Sequence, residues 1–473
     1  MKLTKNTLHY NNDNWIRLLG YLTAAVLLAC VALNLYGLAN ISVWRHDELY
    51  YEPDYFHKLE TEGRWLNYLL SEYLAELPAS LCIGASYLSI FYFVAKSAWN
   101  TNHDLIIALI IALTALLFPF LSTLLFWPAT TLSGFLVLFS ACYLSNKIPK
   151  LVFFPIFAIL FFATLSNLYF LLPLLFLGKL DARETFKLLT IWILSFLLGF
   201  LVTQAITHNL TGHLIEVAGW RKPNPITSWE DLLQNLRRVS LAWARINSTI
   251  WHILGFFPFA IWAVMLLIGR RFKIDDLCLT IVIVLVAVAV FASAIPLGLG
   301  VQGRTSLTYT TGLIFLACVR VDASQLTRTL ILMLCLFAGS TLAISNFQTI
   351  QWYAGVTNEI KEEMRRVIPE SLKDDVTIVL GISNRDWEKI TRKIEICKNL
   401  TQLTGERIGT SYRIAQAVKE LGYRKVAWCP PEKCEESSVK VSKSLKSCEL
   451  RIFEPYWHKQ KGFSLLVSKD YLR

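Results

Sequence analysis

The sequence predicts a polytopic α-helical membrane protein with a small α/β domain outside the membrane. Three observations carry that expectation. Of 473 residues, 54% are hydrophobic and 17% charged, whereas an ordinary soluble domain is about a quarter charged. The charges fall in blocks between long apolar runs, and mean hydropathy is +0.45. From residue 347 the chain turns polar and gains short strand-like runs. A β-barrel needs alternating short strands, and continuous apolar runs such as 277–296 do not alternate.

Apolar runs lie near 17–39, 77–96, 104–122, 127–145, 151–165, 167–178, 188–206, 250–269, 277–296, 306–319 and 329–346, giving about eleven membrane segments. The first is too long for a signal-peptide core and lacks a small-residue cleavage site. Basic residues set the topology, since Lys and Arg concentrate in cytoplasmic loops. Lys2, Lys5, Lys96, Lys147, Lys150, Lys179, Arg183, Lys187, Arg270, Arg271, Lys273, Arg320 and Arg328 all fall on one side if the amino terminus is cytoplasmic. The first loop, the loops 207–249 and 297–305, and the tail then face outward. Residues 151–178 must cross an even number of times, yet 28 residues are short for two full spans at about 1.5 Å per residue. The sequence therefore predicts two short helices or a re-entrant hairpin broken near Ser166-Asn167.

Two segments outside these runs carry amphipathic patterns. Residues 57–75 space Trp65, Leu66, Leu69, Leu70, Tyr73 and Leu74 helically. Residues 228–246 do the same with Trp229, Leu232, Leu233, Leu236, Val239 and Trp243, beside Arg237, Arg238 and Arg245. Both read as helices lying among lipid headgroups. The domain division is 1–346 for the membrane part and 347–473 for a tail, with strand-like runs at 376–381, 424–428, 449–453 and 463–468 and helical patterns near 357–367, 386–400 and 411–421.

The net charge of +11 does not imply nucleic acid, because most basic residues of the membrane part serve topology in short loops. Cys30, Cys82, Cys142, Cys278, Cys318 and Cys335 lie in or beside apolar runs and read as small core hydrophobes. Cys397, Cys429, Cys434 and Cys448 fall in the polar tail and are disulfide candidates in an oxidising compartment, with a zinc site as the alternative.

The chemistry-bearing cluster follows the first span. Asp47, Glu48, Glu52 and Asp54 fall within eight residues, ahead of Gly63-Arg64-Trp65. Carboxylates so placed can remove a proton from a hydroxyl, and crowding of like charge raises a carboxyl pKa toward that of a useful base. Their oxygens also suit Mg²⁺ or Mn²⁺. Cations in the outward loops are Arg64, Arg221, Lys222 and Arg304; the last sits in Gly300-Val301-Gln302-Gly303-Arg304, where glycines admit close approach and a guanidinium can grip phosphate. His46, His57, His208 and His213, with Trp44, Trp65, Trp220 and Trp229, read as headgroup-level surface.

An acidic pair just after span one, followed by an amphipathic helix, resembles the GT-C glycosyltransferases. Asp47-Glu48 with the later Gly63-Arg64-Trp65 resembles, more narrowly, the membrane glucosyltransferases that modify bacterial O-antigen (type II Gtr). The residue-level likeness covers about 44–66. It departs at Glu48, where the family pattern has aspartate, so the carboxyl reaches one methylene further. The resemblance implies a GT-C-like catalytic domain in the inner membrane and a periplasmic tail. It implies a polyprenyl-phosphate hexose donor, glucose by family, and a lipid-linked glycan acceptor such as O-antigen, usually with inversion. Asp47 is then the expected base with Glu48 beside it. Arg304, Arg64, Arg221 and Lys222 are expected to bind donor phosphate, and the donor's lipid tail to lie along a groove near 151–178. The competing classes are a transporter or flippase, which should carry ionisable residues inside spans; a polymerase or ligase of lipid-linked glycans built on loop 207–249; and a non-catalytic envelope assembly protein.

Overall fold

The computed structural model describes residues 3–40, 56–178, 180–217, 221–261, 274–318, 325–367, 378–381, 421, 426–428, 454–458 and 462–466. These divide into two units, one of 3–39 and 56–346, the other holding 347–367 and four short strands.

The first unit is helical. Helix α1 runs Leu3–Asn40, α2 Phe56–Glu62, α3 Trp65–Glu76, α4 Ala79–Asn102, α5 Leu105–Leu116, α6 Pro119–Leu124, α7 Pro128–Leu144 and α8 Lys150–Phe162. A 3₁₀ helix η1 covers Ser166–Phe176, then α9 Ala182–Thr211, α10 Trp229–Leu254, α11 Ile274–Ala294, a 3₁₀ turn η2 Gly303–Ser306, α12 Leu307–Cys318 and α13 Gln325–Val367.

Among the described residues, five stretches are long and apolar enough to cross a membrane: Asn14–Asn40, Ala79–Asn102, Ala182–Thr211, Leu277–Ala294 and Gln325–Glu359. They leave apolar faces uncovered, with Leu18, Leu22 and Leu33 on α1 and Leu194, Leu197 and Leu201 on α9 all exposed. Such faces suit hydrocarbon as their solvent.

Among the described residues, the runs at 104–122, 127–145 and 151–178 form shorter helices. The run expected as one span at 104–122 breaks at Leu117-Phe118. Proline biases the residue before it toward extended backbone, and Phe118 has ψ 127 ahead of Pro119, which opens α6. Helix α5 spans about 18 Å at 1.5 Å per residue, against a hydrocarbon core of roughly 30 Å. Every residue from Ile110 to Phe135 is buried, so this hairpin is enclosed by protein. The run expected at 250–269 also begins differently: α10 continues to Leu254 and stops at Gly255, with φ +68. The expectation for 329–346 is met by the longer α13, which also absorbs the helical pattern near 357–367.

Residues 151–178 form two short helices, as their length requires. The break falls at 163–165, just before Ser166. Aromatic side chains hold this pair against α9: Phe162 and Phe170 lie 5.0 and 5.2 Å from Phe196, and the Tyr169 hydroxyl donates to the Trp192 carbonyl at 2.7 Å. Gly199 lets α9 approach α8 closely, since a Cβ there would meet the Ala158 backbone at 2.9 Å.

Residues 57–75 are not one helix. Gly63 takes φ +68 and donates its N–H to the Leu59 carbonyl at 3.0 Å, which ends α2; α3 starts two residues later. A left-handed glycine is a common helix terminator because it lacks a Cβ to clash. In α10, by contrast, a capping box starts the helix, with Ser228 Oγ accepting from the Asp231 N–H at 3.2 Å and Asp231 accepting from the Ser228 N–H at 3.0 Å. One stripe of α10, Asn235, Val239, Ile246 and Ile250, is buried. A neighbouring stripe of Trp229, Leu233, Leu236 and Trp243 is exposed.

In the second unit β1 Ile378–Gly381, β2 Val426–Trp428, β3 Glu454–His458 and β4 Gly462–Leu466 form one sheet in the order β2-β1-β4-β3. Strand β1 pairs in parallel with β2 and β4, and β3 with β4 antiparallel, Tyr456 opposite Ser464. The strand expected at 449–453 is found at Glu454–His458. The helical patterns at 386–400 and 411–421 and the cysteines Cys397, Cys429, Cys434 and Cys448 lie outside the described residues. The other six cysteines are thiols; five are buried and Cys30 is half-buried.

Candidate functional site

Asp47, Glu48, Glu52 and Asp54 lie outside the described residues, as do Trp44, His46 and Trp220. The structure does describe the segment that follows them and the cations expected to serve it.

The turn between α2 and α3 builds the centre. Lys58 and Glu62 stand four apart on α2 and pair at 2.8 Å. After Gly63 reverses the chain, Arg64 sits at the start of α3 with its Nη2 2.6 Å from Glu62 Oε2. Arg221, from the distant loop after α9, brings its Nη2 within 2.6 Å of Glu62 Oε1. The Glu62 side chain is 7% exposed. Burial pushes its carboxyl upward, but Arg64, Lys58 and Arg221 together overcome that and hold it well below the usual carboxylate range. Glu62 is therefore a carboxylate at any physiological pH.

Backbone bonds fix the Arg221 loop in place. The Glu216 N–H donates to the Glu60 carbonyl at 3.1 Å, and Ile215 N–H to Gln204 Oε1 at 2.9 Å. His213 Nε2 lies 3.3 Å from Glu60 Oε1. Further along, the Asn224 N–H donates to the Leu297 carbonyl at 2.8 Å and Ile226 N–H to the Pro296 carbonyl at 3.1 Å. Buried Asn235 donates to both the Asn224 and Ile295 carbonyls. Gly298, at φ +61, packs against Asn235 too closely to admit a Cβ. Residues 213–217 and 221–228 are thus joined by direct bonds to 56–64 on one side and 295–298 on the other.

Helix α3 is anchored through Asn67, which is fully buried. Its Nδ2 donates to the Thr130 carbonyl at 3.0 Å, its Oδ1 accepts from Ser133 Oγ, and its backbone N–H reaches the Ala163 carbonyl at 3.3 Å.

Of the four expected phosphate-binding cations, Arg64 and Arg221 meet on Glu62. Arg304, on η2, instead lays its guanidinium over the Trp127 ring, 4.3 Å from the centroid. Lys222 is exposed in a left-handed conformation, φ 46, and its carbonyl accepts from Arg238 at 3.1 Å. Sequence reasoning missed Glu62, Lys58 and Trp127. The four-residue spacing of Lys58 and Glu62 is the one local signal; nothing near Glu62 in sequence points to Arg221.

Among the described residues no group of three or more His, Cys, Asp or Glu converges as metal ligands. The four carboxylates expected for Mg²⁺ or Mn²⁺ fall outside that set. In the stretch 151–178, η1 is buried from Leu168 to Leu175, while α8 leaves Leu151, Val152 and Ile156 exposed. An apolar cavity of about 120 Å³ lies between α5, α10, α12 and α13, lined by Ile250, Leu254, Phe118, Leu313, Leu334 and Ala338 among others.

Comparison with protein-family models, with curated proteins and with solved structures gives no match to this chain.

Proposed function

We propose that this protein is a membrane glycosyltransferase of GT-C type that moves a hexose, glucose by resemblance, from a polyprenyl-phosphate donor to O-antigen or a related lipid-linked glycan. The reaction runs on the periplasmic face of the bacterial inner membrane, with the amino terminus cytoplasmic, about eleven membrane segments and a small α/β tail outside. The sheet of four strands supports the reading of the tail as α/β.

The observation that carries the proposal is the meeting of Arg64 and Arg221 at Glu62. Sugar transfer from a phosphate carrier places developing negative charge on the leaving phosphate, and fixed cations stabilise that charge in the transition state. Two guanidinium groups held on one carboxylate supply that chemistry, since arginine matches phosphate geometry bidentately.

In the proposed reaction Asp47 takes the proton of the acceptor hydroxyl. The alkoxide oxygen bonds to the anomeric carbon, the carbon–oxygen bond to phosphate breaks, and polyprenyl monophosphate leaves with the electron pair. Glu48 orients the neighbouring carboxylate or the acceptor, and Arg304 is the third phosphate contact. No step is routed through Mg²⁺ or Mn²⁺; if bound by Asp47, Glu48, Glu52 and Asp54, such an ion would polarise donor oxygens. The apolar cavity beside α12 and α13 is the proposed seat of part of the prenyl chain.

The test is glucosyl transfer by purified protein in proteoliposomes. Asp47→Asn keeps the shape and removes the base, so turnover should fall about 10²-fold or more, in the range of a lost general base, while donor binding persists. Unchanged transfer by Asp47→Asn would reject the assignment.

A further inference from the structure

We infer that Glu62 is a positioning residue of the phosphate site: without touching the donor, it fixes Arg64 and Arg221 so that both guanidinium groups face one phosphate monoester. This inference rests on the glycosyltransferase reading above.

The energetics argue against a purely stabilising role. Taking a carboxylate and its cations out of water is costly, and a well-packed apolar cluster often stabilises as well or better. A carboxylate buried this deeply among three cations is a costly way to hold two helices together. Its distinctive product is geometry.

That geometry is specific. The two oxygens of Glu62 meet different arginines: Oε1 accepts a hydrogen bond from the Nη2 of Arg221, and Oε2 makes a charge contact with the Nη2 of Arg64, both at 2.6 Å. A guanidinium is planar and delocalised, so the hydrogen bond to one nitrogen of Arg221 restricts the plane of its whole fork, while the charge contact sets how closely Arg64 approaches. Lys58 joins Oε1 at 2.8 Å from the same helix, which holds the carboxylate against rotation. The backbone leaves little slack. Gly63 fits against Ile215 and Thr203 with no room for a Cβ, and the Glu216 N–H ties the Arg221 loop to Glu60. Glu62 thus pairs a cation from the first loop with one from the loop after α9, two segments that approach through these bonds.

Glu62→Gln separates positioning from simple attraction. The substitution keeps the shape and makes the cluster more positive by one charge. If bulk charge alone drew the phosphate, the donor would bind more tightly. If Glu62 positions the arginines, binding weakens, because a carboxamide presents one acceptor and turns a donor toward the other guanidinium.

The experiment measures initial rates with polyprenyl-phosphate glucose in proteoliposomes for wild type, Glu62→Gln, Arg221→Gln and the double variant. We expect the donor KM of Glu62→Gln to rise about tenfold with kcat within threefold of wild type. Arg221→Gln should show a similar rise, and the double variant no more than the larger single effect, because the two act as a unit. A donor KM in Glu62→Gln at or below the wild-type value overturns the inference while leaving the glycosyltransferase reading intact. So does a fully additive double variant. Should Glu62→Gln fail to fold, Arg221→Gln decides alone: a wild-type donor KM there overturns the inference. Wild-type protein that neither binds nor turns over the donor overturns both.

Discussion

Arg221 Nη2 stands 2.6 Å from Glu62 Oε1, joining residues 159 positions apart across two loops. That contact makes one unit of the segment after the acidic cluster and the segment after α9.

Gly63 sets the angle at which Arg64 leaves α2. Gly63→Ala imposes a positive φ on an L residue, costing about 1–2 kcal/mol, and drives its Cβ into Ile215 and Thr203. Gly212 has a similar φ, +83, but nothing within 4 Å of its Cβ position. Thermal unfolding in detergent should therefore show Gly63→Ala clearly less stable than Gly212→Ala. Equal losses would mean that the Ile215 and Thr203 packing does not matter.

Asn67 is the polar pin between α3 and α7. Asn67→Ala strips the Thr130 carbonyl and Ser133 of their partner in a buried site. The expected loss is about 2–3 kcal/mol, the order for breaking buried hydrogen bonds. Ser133→Ala, which leaves the Thr130 bond in place, should cost less.

Arg304 stacks on Trp127, and the proposed phosphate contact depends on that plane being kept. Arg304→Ala should raise the donor KM about tenfold, roughly the 1.4 kcal/mol of one lost charged contact, with the protein still folded. Arg304→Lys retains the charge but not the planar fork, and should recover only part of that. A wild-type donor affinity in Arg304→Ala would remove this residue from the phosphate site.

His213 links the Arg221 loop to α2 through Glu60. The Leu214 carbonyl against its ring, then Glu60 and the nearby Glu216, outweigh desolvation and raise its pKa above 6.5. A raised folded-state value means the protonated ring stabilises the fold below about 6.5, and that this contribution disappears as pH climbs through the folded value. His213→Gln should flatten the fall in thermal stability as pH rises above about 6.5. An unaltered slope would show that another group titrates there.

The long apolar helices were legible because twenty or more uncharged residues admit few other structures. So was the broken pair at 151–178, which followed from charge placement and length. The onset of α10 was written in Ser228 and Asp231. What escaped was tertiary or depended on single residues. The run 104–122 looked like a span because hydropathy cannot tell lipid from protein interior; Pro119 and Pro128 were the available signs of the enclosed hairpin. The segment 57–75 read as one helix because its apolar spacing survives the kink at Gly63. Glu62 sat on the polar face of that pattern and looked solvated, since its decisive partner, Arg221, comes from another loop. Arg64 and Arg221 were singled out by charge and loop position, and the carboxylate that joins them was not.

The most direct measurement is transfer of labelled glucose from polyprenyl-phosphate glucose to a lipid-linked glycan in proteoliposomes, comparing wild type with Asp47→Asn. The account predicts turnover by wild type and its collapse in the variant, with the donor still bound. Equal turnover by the two proteins, or none by correctly folded wild type, would contradict it.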